Sequence, residues 1–243
     1  QGVSSAASDV YKRQGYDRVE GGTRANFGAQ YTLALANGAR ANMLVGQSVQ
    51  LAGQNSFAQH GLALEGSDSG LDKTVSDYVS RVQYVPSANY SFTARGRFDP
   101  DGLQSRRFEF ENKAIFGPLS TSTVYANYAP QPNAGITKRR EGLGLGAAYD
   151  LTSRWKISGN TLFALTRYLE NPNLPREYLA SYSAGLTYLD ECTEFSLSYI
   201  GREPYITGTQ SQDQTLFVRL SLRSLGSIQT KQDLGNTTDP GTP

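Results

Sequence analysis

Apolar and polar side chains alternate with a period of two over runs of roughly ten residues, and the pattern returns along the whole chain. The segment 105–116, SRRFEFENKAIF, carries it most clearly. Arg107, Glu109, Glu111 and Lys113 fall on one side, while Phe108, Phe110, Ala114 and Phe116 fall on the other. Successive side chains of a strand point to opposite faces, so this strand has one charged face and one greasy face. A soluble sandwich would turn the greasy face inward. Here the strands are long, they recur, and short turns alternate with longer connections. That combination predicts an all-β fold, an antiparallel transmembrane β-barrel with apolar residues toward lipid and charge toward a wet lumen.

The 243 residues suffice for one large all-β unit. Only 38% are hydrophobic and the mean hydropathy is −0.47. No run approaches the ~20 apolar residues of a membrane helix. A barrel needs only every second strand residue to be apolar, so low hydropathy does not argue against it. A net charge of +1 argues against a nucleic-acid partner held by phosphate neutralisation.

Turn signals divide the chain into about eleven strands. They fall at 22–36, 39–51, 77–85, 89–99, 105–116, 121–129, 141–151, 155–168, 178–189, 192–203 and 215–225. Asn37-Gly38 reads as a two-residue hairpin turn. The expected lumen-facing residues are Arg24 and Asn26 on the first strand and Arg95 and Arg97 on the fourth. Arg107, Glu109, Glu111 and Lys113 on the fifth complete that set. Connections near 37, 86, 118, 153 and 190 are short, and those between them are mostly longer. Barrels of the outer membrane keep short turns on the periplasmic side. The last strand then runs inward, and 227–243 becomes a polar periplasmic tail. An odd strand count suits part of a larger barrel, because single-chain bacterial barrels have even numbers. Residues 1–14 contain SSAASDVYKRQ, which resembles a translated sequencing-adapter tail and is set aside as non-native. Residues 15–226 are then the C-terminal part of a barrel whose chain extends upstream.

Several motifs invite a chemical reading. Gly142-Leu143-Gly144-Leu145-Gly146-Ala147 fits a dinucleotide fingerprint, but that motif requires a following helix. Strand alternation continues instead through Tyr149 and Leu151, so the glycines read as small residues on the lumen side. His60, with Ser56 or Ser67, lies in a polar loop that offers no rigid third group for nucleophilic catalysis. Glu109 and Glu111 could mimic a glycosidase pair. Arg107 and Lys113 beside them make a balanced charge ladder the better account. No catalytic, cofactor or metal site is expected. Cys192, the only cysteine, adjoins the short Asp190-Glu191 turn. Two readings stay open: a passive small hydrophobe, or a disulfide to a segment upstream of these residues.

Gly15-Tyr16-Asp17-Arg18-Val19-Glu20-Gly21-Gly22-Thr23-Arg24 resembles the barrel entry of the lipopolysaccharide-assembly family LptD (OstA/Imp). The run Tyr188 to Tyr199 resembles that family's cysteine-bearing strand pair, and Leu216 to Gly226 its closing strand. The resemblance implies an outer-membrane protein of a Gram-negative bacterium and not an enzyme. It implies that lipopolysaccharide arrives from a periplasmic bridge through an upstream jellyroll, which is not in this chain. It further implies a plug lipoprotein, LptE, in the lumen, and lateral exit into outer-membrane lipid between the first and last strands. Strand 215–225 would be one lip of that gate, with Leu216, Val218, Leu220 and Leu222 outward and Arg219, Ser221 and Arg223 inward. Cys192 falls on the family's C-terminal cysteine site, which bonds to cysteines upstream of the barrel. This chain has one cysteine there where some members have two, and Phe217 stands where glycine is expected. Two other classes remain. One is another outer-membrane barrel, such as a porin, a lipid A-modifying enzyme or a protease. The other is a soluble antiparallel binding module, which would bury Phe108, Phe110, Leu143 and Leu145.

Overall fold

The computed structural model describes residues 22–58, 68–169, 172–173, 178–202, 213–222 and 226–233. Residues 1–21, His60, Ser67, Arg223 and most of the 227–243 tail beyond Asp233 lie outside that set. Twelve strands follow one another: β1 (Thr23–Ala34), β2 (Arg40–Ala52), β3 (Tyr78–Ser87), β4 (Tyr90–Phe98), β5 (Ser105–Phe116) and β6 (Leu119–Tyr128). Then come β7 (Arg140–Asp150), β8 (Trp155–Ala164), β9 (Tyr178–Leu189), β10 (Thr193–Arg202), β11 (Asp213–Leu222) and β12 (Gly226–Asp233). They form one sheet in the order β1 to β12, each strand beside its neighbour in sequence. Among the described residues, no helix is long and apolar enough to cross a membrane.

The sequence reading differs from this in two places. The hairpin at Asn37-Gly38 is wider than two residues. Leu35 N–H donates to Ala39 O at 2.8 Å, and Gly38 takes φ +85°. Asn37 Oδ1 accepts from Ala39 N–H at 3.1 Å, so the asparagine serves as a local side-chain cap. The second difference is β12, which occupies the start of the segment expected to be a tail. GSIQTKQD has almost no apolar alternation, so no period-two signal marks it. Its strand character comes from backbone pairing to β11, from Leu222↔Gly226 to Thr215↔Asp233. The described residues thus hold twelve strands, an even number, where about eleven were expected. Asp233 sits beside Thr215, at the end of β11 that follows a long connection, not at the short-turn end.

The chain divides into two compact units. The first comprises 1–84, 93–109 and 127–139, and the second 85–92, 110–126 and 140–243. In the first, β1 and β2 pair antiparallel from Ala34↔Arg40 to Thr23↔Ala52, with a register shift at Thr23/Arg24. The connection after β2 returns to pair with it: Gln50 N–H donates to Thr74 O and Ser76 N–H to Ser48 O. In the second, the ladders from β7 through β12 keep regular antiparallel register, with one shift at Leu162/Phe163.

Little is buried. Among the described residues the buried apolar side chains are Ala39, Ala114 and Ala129, and no large side chain is fully buried. Phe27 and Tyr31 are 62% and 63% exposed on β1, and Leu145 is 42% exposed on β7. The soluble-module reading required Phe108, Phe110, Leu143 and Leu145 to be buried. Phe108 and Leu145 are exposed, and Phe110 and Leu143 are half-buried. Among the described residues no large apolar side chain is fully covered, as the core of a sandwich would require.

Candidate functional site

The chemistry of this protein lies on the polar face of the sheet. In the first unit Arg24 sets the pattern. Its guanidinium donates to Ser48 Oγ on β2 at 3.3 Å, and to Asn55 Oδ1 and Leu71 O in the following connection at 3.0 and 3.2 Å. It also lies over the Phe57 ring, 5.2 Å from the centroid. Asn26 pairs with Ser48 across the ladder, on the same face as Arg24. Thr32 and Asn42 share it too, since Asn42 Nδ2 donates to Thr32 Oγ1 at 2.7 Å. Arg81 of β3 reaches the same asparagine, donating to Asn42 Oδ1 at 2.9 Å.

Arg97, on β4, does for residues 68–77 what Arg24 does for 55–71. It donates to the carbonyls of Ser69 and Asp68 and stands 3.2 Å from Asp77 Oδ2. Arg95 lies two residues before it on the same strand face. Beyond β4, Asp99 is a buried hub. Its carboxylate accepts from Arg106 at 2.6 Å and from Lys73 at 3.3 Å, and its Oδ1 accepts from Asp101 N–H at 2.9 Å. The Arg106 hydrogen bond, the Asp101 N–H and Lys73 hold this carboxyl well below the usual range, against the opposing pull of burial. Asp77 goes the other way: burial pushes its carboxyl up, and Arg97 only partly offsets that. Farther along β5, Glu109 accepts from Arg107 at 2.6 Å and from Tyr128 Oη at 2.6 Å, and Arg107 covers the Tyr128 ring at 5.0 Å. Sequence reasoning placed Arg107 and Glu109 together but missed Tyr128, Asp99, Asp77, Lys73 and Arg106. Pro100-Asp101-Gly102 signals the reversal itself, but not the role of Asp99 beside it. Lys73 reaches Asp99 across 26 positions and Arg106 across seven, and no local signal marks either pairing.

The second unit has a different polar face. It begins with one ion pair, Lys113 to Glu111 at 2.9 Å. Beyond it, charge gives way to glycine and hydroxyl. Gly142, Gly144 and Gly146 lie inside β7, which continues to Asp150, so no helix follows the glycine pattern. A Cβ at Gly146 would stand 2.5 Å from Ser122 Oγ and 2.6 Å from Asn160 Oδ1, so a larger residue there would have to turn both polar side chains aside. Across the ladder Ser158 pairs with Gly185, and Asn160 pairs with Ser183, donating to its Oγ at 3.3 Å. On β10 and β11 the polar face continues as Glu194↔Ser221, Ser196↔Arg219 and Ser198↔Phe217.

The opposite face of these strands is mainly apolar, with Thr161 and Thr193 among its residues. Leu143 and Leu145 pair with Phe163 and Thr161. Leu216, Val218 and Leu220 of β11 pair with Tyr199, Leu197 and Phe195. Leu222 continues that side and pairs with Thr193. Toward the short-turn end aromatic residues gather. Trp155 and Tyr188 lie 4.9 Å apart and Tyr90 and Phe116 meet edge-on at 5.6 Å. Cys192 is exposed, with a free thiol, in the turn between β9 and β10. In that turn Glu191 N–H holds the Asp190 carboxyl below its ordinary range, with Arg154 adding to the effect. β11 pairs with β10 along one edge and with β12 along the other, so the strand expected to be a free lip is interior to the sheet order. The unpredicted pairing of Gly226–Asp233 is the reason. Among the described residues, no group of His, Cys, Asp or Glu is arranged to hold a metal ion.

A model of the LptD family, described as LPS transport system D, matches residues 11–155, more than half of the chain. The chain belongs to the LptD family. The match begins at Tyr11, inside the segment set apart as an adapter tail, and ends at Trp155, before Cys192 and β9 to β12. Among solved structures, the chain is similar to a triple mutant of the Rhodopseudomonas blastica porin. The two are 11% identical, with 87% of this chain and 88% of that one covered, at a TM-score of 0.44. No curated protein matches the chain.

Proposed function

We propose that this chain is the C-terminal part of an outer-membrane barrel that delivers lipopolysaccharide to the outer leaflet through a lateral gate. The observation that carries the reading is a sheet of the LptD family whose exposed greasy face alternates, residue by residue, with a hydrogen-bonded polar face. Lipid can cover the first and water the second. The Gram-negative outer membrane is the matching location. The partners are lipopolysaccharide, the plug lipoprotein LptE in the lumen, and a periplasmic bridge docking through an upstream jellyroll. Arg24, Asn26, Arg95, Arg97, Arg107, Glu109, Glu111 and Lys113 would then face the lumen. The gate lip moves from β11 to β12, the end of the strand order, with Leu216, Val218, Leu220 and Leu222 forming the lipid-facing surface behind it. Strand edges are costly in hydrocarbon, so a seam that opens must pair again after each passage.

The test uses the full-length protein in cells. A disulfide joining Thr230 to the first barrel strand should stop newly made lipopolysaccharide from reaching the surface while the barrel keeps its heat-modifiable gel mobility. Normal surface lipopolysaccharide with the bridge fully formed would remove the gate from this seam. Cys192 is assigned to a disulfide with a cysteine upstream of the barrel, which closes a long loop and restricts the unfolded chain. Thiol labelling without reductant should miss Cys192 in the assembled protein, and full labelling of folded, active protein would return it to a passive role.

A further inference from the structure

The polar face of β10 and β11 carries Glu194, Ser196, Ser198, Arg219 and Ser221, and two apolar side chains interrupt it: Ile200 and Phe217. The register sets them side by side, because Ile200 pairs with Thr215 and Ser198 with Phe217. One step farther along, Arg202 faces Asp213 directly across the ladder. These two exposed, opposite charges form no ion pair with each other or with any other of the described residues. Ile200, Arg202, Asp213, Thr215 and Phe217 together line a small recess of about 70 Å³ that is open on one side. An aromatic ring and a branched aliphatic beside a donor-only guanidinium and an acceptor-only carboxylate make an unusual set on a face of hydroxyls.

Resting on the function proposed above, we infer that this recess is a saccharide subsite on the translocation surface. A sugar ring has an apolar C–H face and a rim of hydroxyls that both donate and accept. Phe217 and Ile200 supply the surface for the C–H face. The Asp213 carboxylate accepts from ring hydroxyls, and Arg202 donates to hydroxyl or phosphate oxygens on the sugar. A recess with an apolar floor and a few convergent polar groups is the usual form of a small-molecule site. Ser158, Asn160, Ser183 and Gly185, on the same face of β8 and β9, carry no charge that would trap a long polar chain. The recess would therefore be a place of brief registration, and the part of the substrate it recognises is the saccharide, not the acyl chains.

The experiment uses the full-length protein in detergent. The probes are intact lipopolysaccharide and its oligosaccharide freed of acyl chains by alkali. Phe217→Leu and Asp213→Asn should each weaken oligosaccharide binding by roughly three- to tenfold, the scale of one aromatic or charged contact. Heat-modifiable mobility should be unchanged. In the unmodified protein the oligosaccharide should shield Arg202 from phenylglyoxal, a readout that does not depend on either variant folding. Wild-type affinity in both variants, or an Arg202 that stays reactive while lipopolysaccharide is still bound and delivered, would overturn the subsite alone. Failure to bind either probe would overturn the proposed function along with it.

Discussion

The two units use the same alternation and fill the polar side differently. In the first, arginines on the wall are spent on the chain's own connections: Arg24 on Asn55 and Leu71, Arg97 on Asp68, Ser69 and Asp77. In the second, glycine, serine and asparagine fill the middle of the polar side, with hydrogen bonds between neighbouring strands such as Asn160 to Ser183, and a charged pair such as Lys156 with Asp150 joins neighbouring strands without holding a connection. The first arrangement ties the described ends of a long connection to the strands. The second leaves a smooth polar surface. A strand's polar face is therefore not one kind of surface. Its charge decides whether it binds its own loops or stays open to something passing by.

The largest effect should come from charging the greasy side of the second unit. Leu145→Arg is expected to cost ~2–4 kcal/mol of folding in lipid if the site lies near the midplane. Glu109→Gln on the opposite side should be far milder. Heat-modifiable mobility after refolding into liposomes measures both, and the reverse order would mean the faces are inverted. Next comes the first unit's clasp. Arg97→Met removes the partner of buried Asp77 and two donors to backbone carbonyls, at an expected cost of about 1–3 kcal/mol. Protease should then cut within 68–77 faster than in the parent protein, with the strands still intact. An unchanged cleavage rate would mean that the arginine does not tie down the connection.

A smaller effect is expected at the aromatic rim. Tyr188→Leu should lose the Trp155 contact, about 0.5–1.5 kcal/mol. It should also shift Trp155 fluorescence toward that of a more mobile indole. The smallest is the pH response of the clasp. Asp99 has a folded-state pKa below its ordinary 3.8, so its stabilisation is present above 3.8 and is lost only as pH falls further, through the folded value. Asp77 has the opposite sign. Its raised pKa means that the ionised form is disfavoured by folding, and protonation relieves that cost as pH falls. The clasp should therefore survive acidification to about pH 4 and open below it. Pepsin cleavage within 99–104 at stepped pH values reads this directly, and opening between pH 6 and 5 would contradict the Asp99 assignment.

Much of this was legible in the chain. Leu143 and Leu145 alternate with glycines, and Arg107 and Glu109 with phenylalanines, and a strand's two faces follow from that spacing without knowing any neighbour. The position of the Asn37-Gly38 turn was legible for the same reason, since both residues act locally, but its width was not. Gly226–Asp233 was not legible, because its residues carry no facing preference and its strand is imposed by the free edge of Leu216–Leu222. That one pairing also changed the role expected of β11. The clasp was equally hidden: Arg24 and Leu71 are 47 residues apart, and nothing near either one announces the other. By itself the sequence determined the two faces and their order along the chain, because side-chain alternation is a property of each strand alone. Only the tertiary structure decided which connection lies over which strand, where the sheet order ends and which charges meet, because those depend on contacts whose partners lie far apart in the chain.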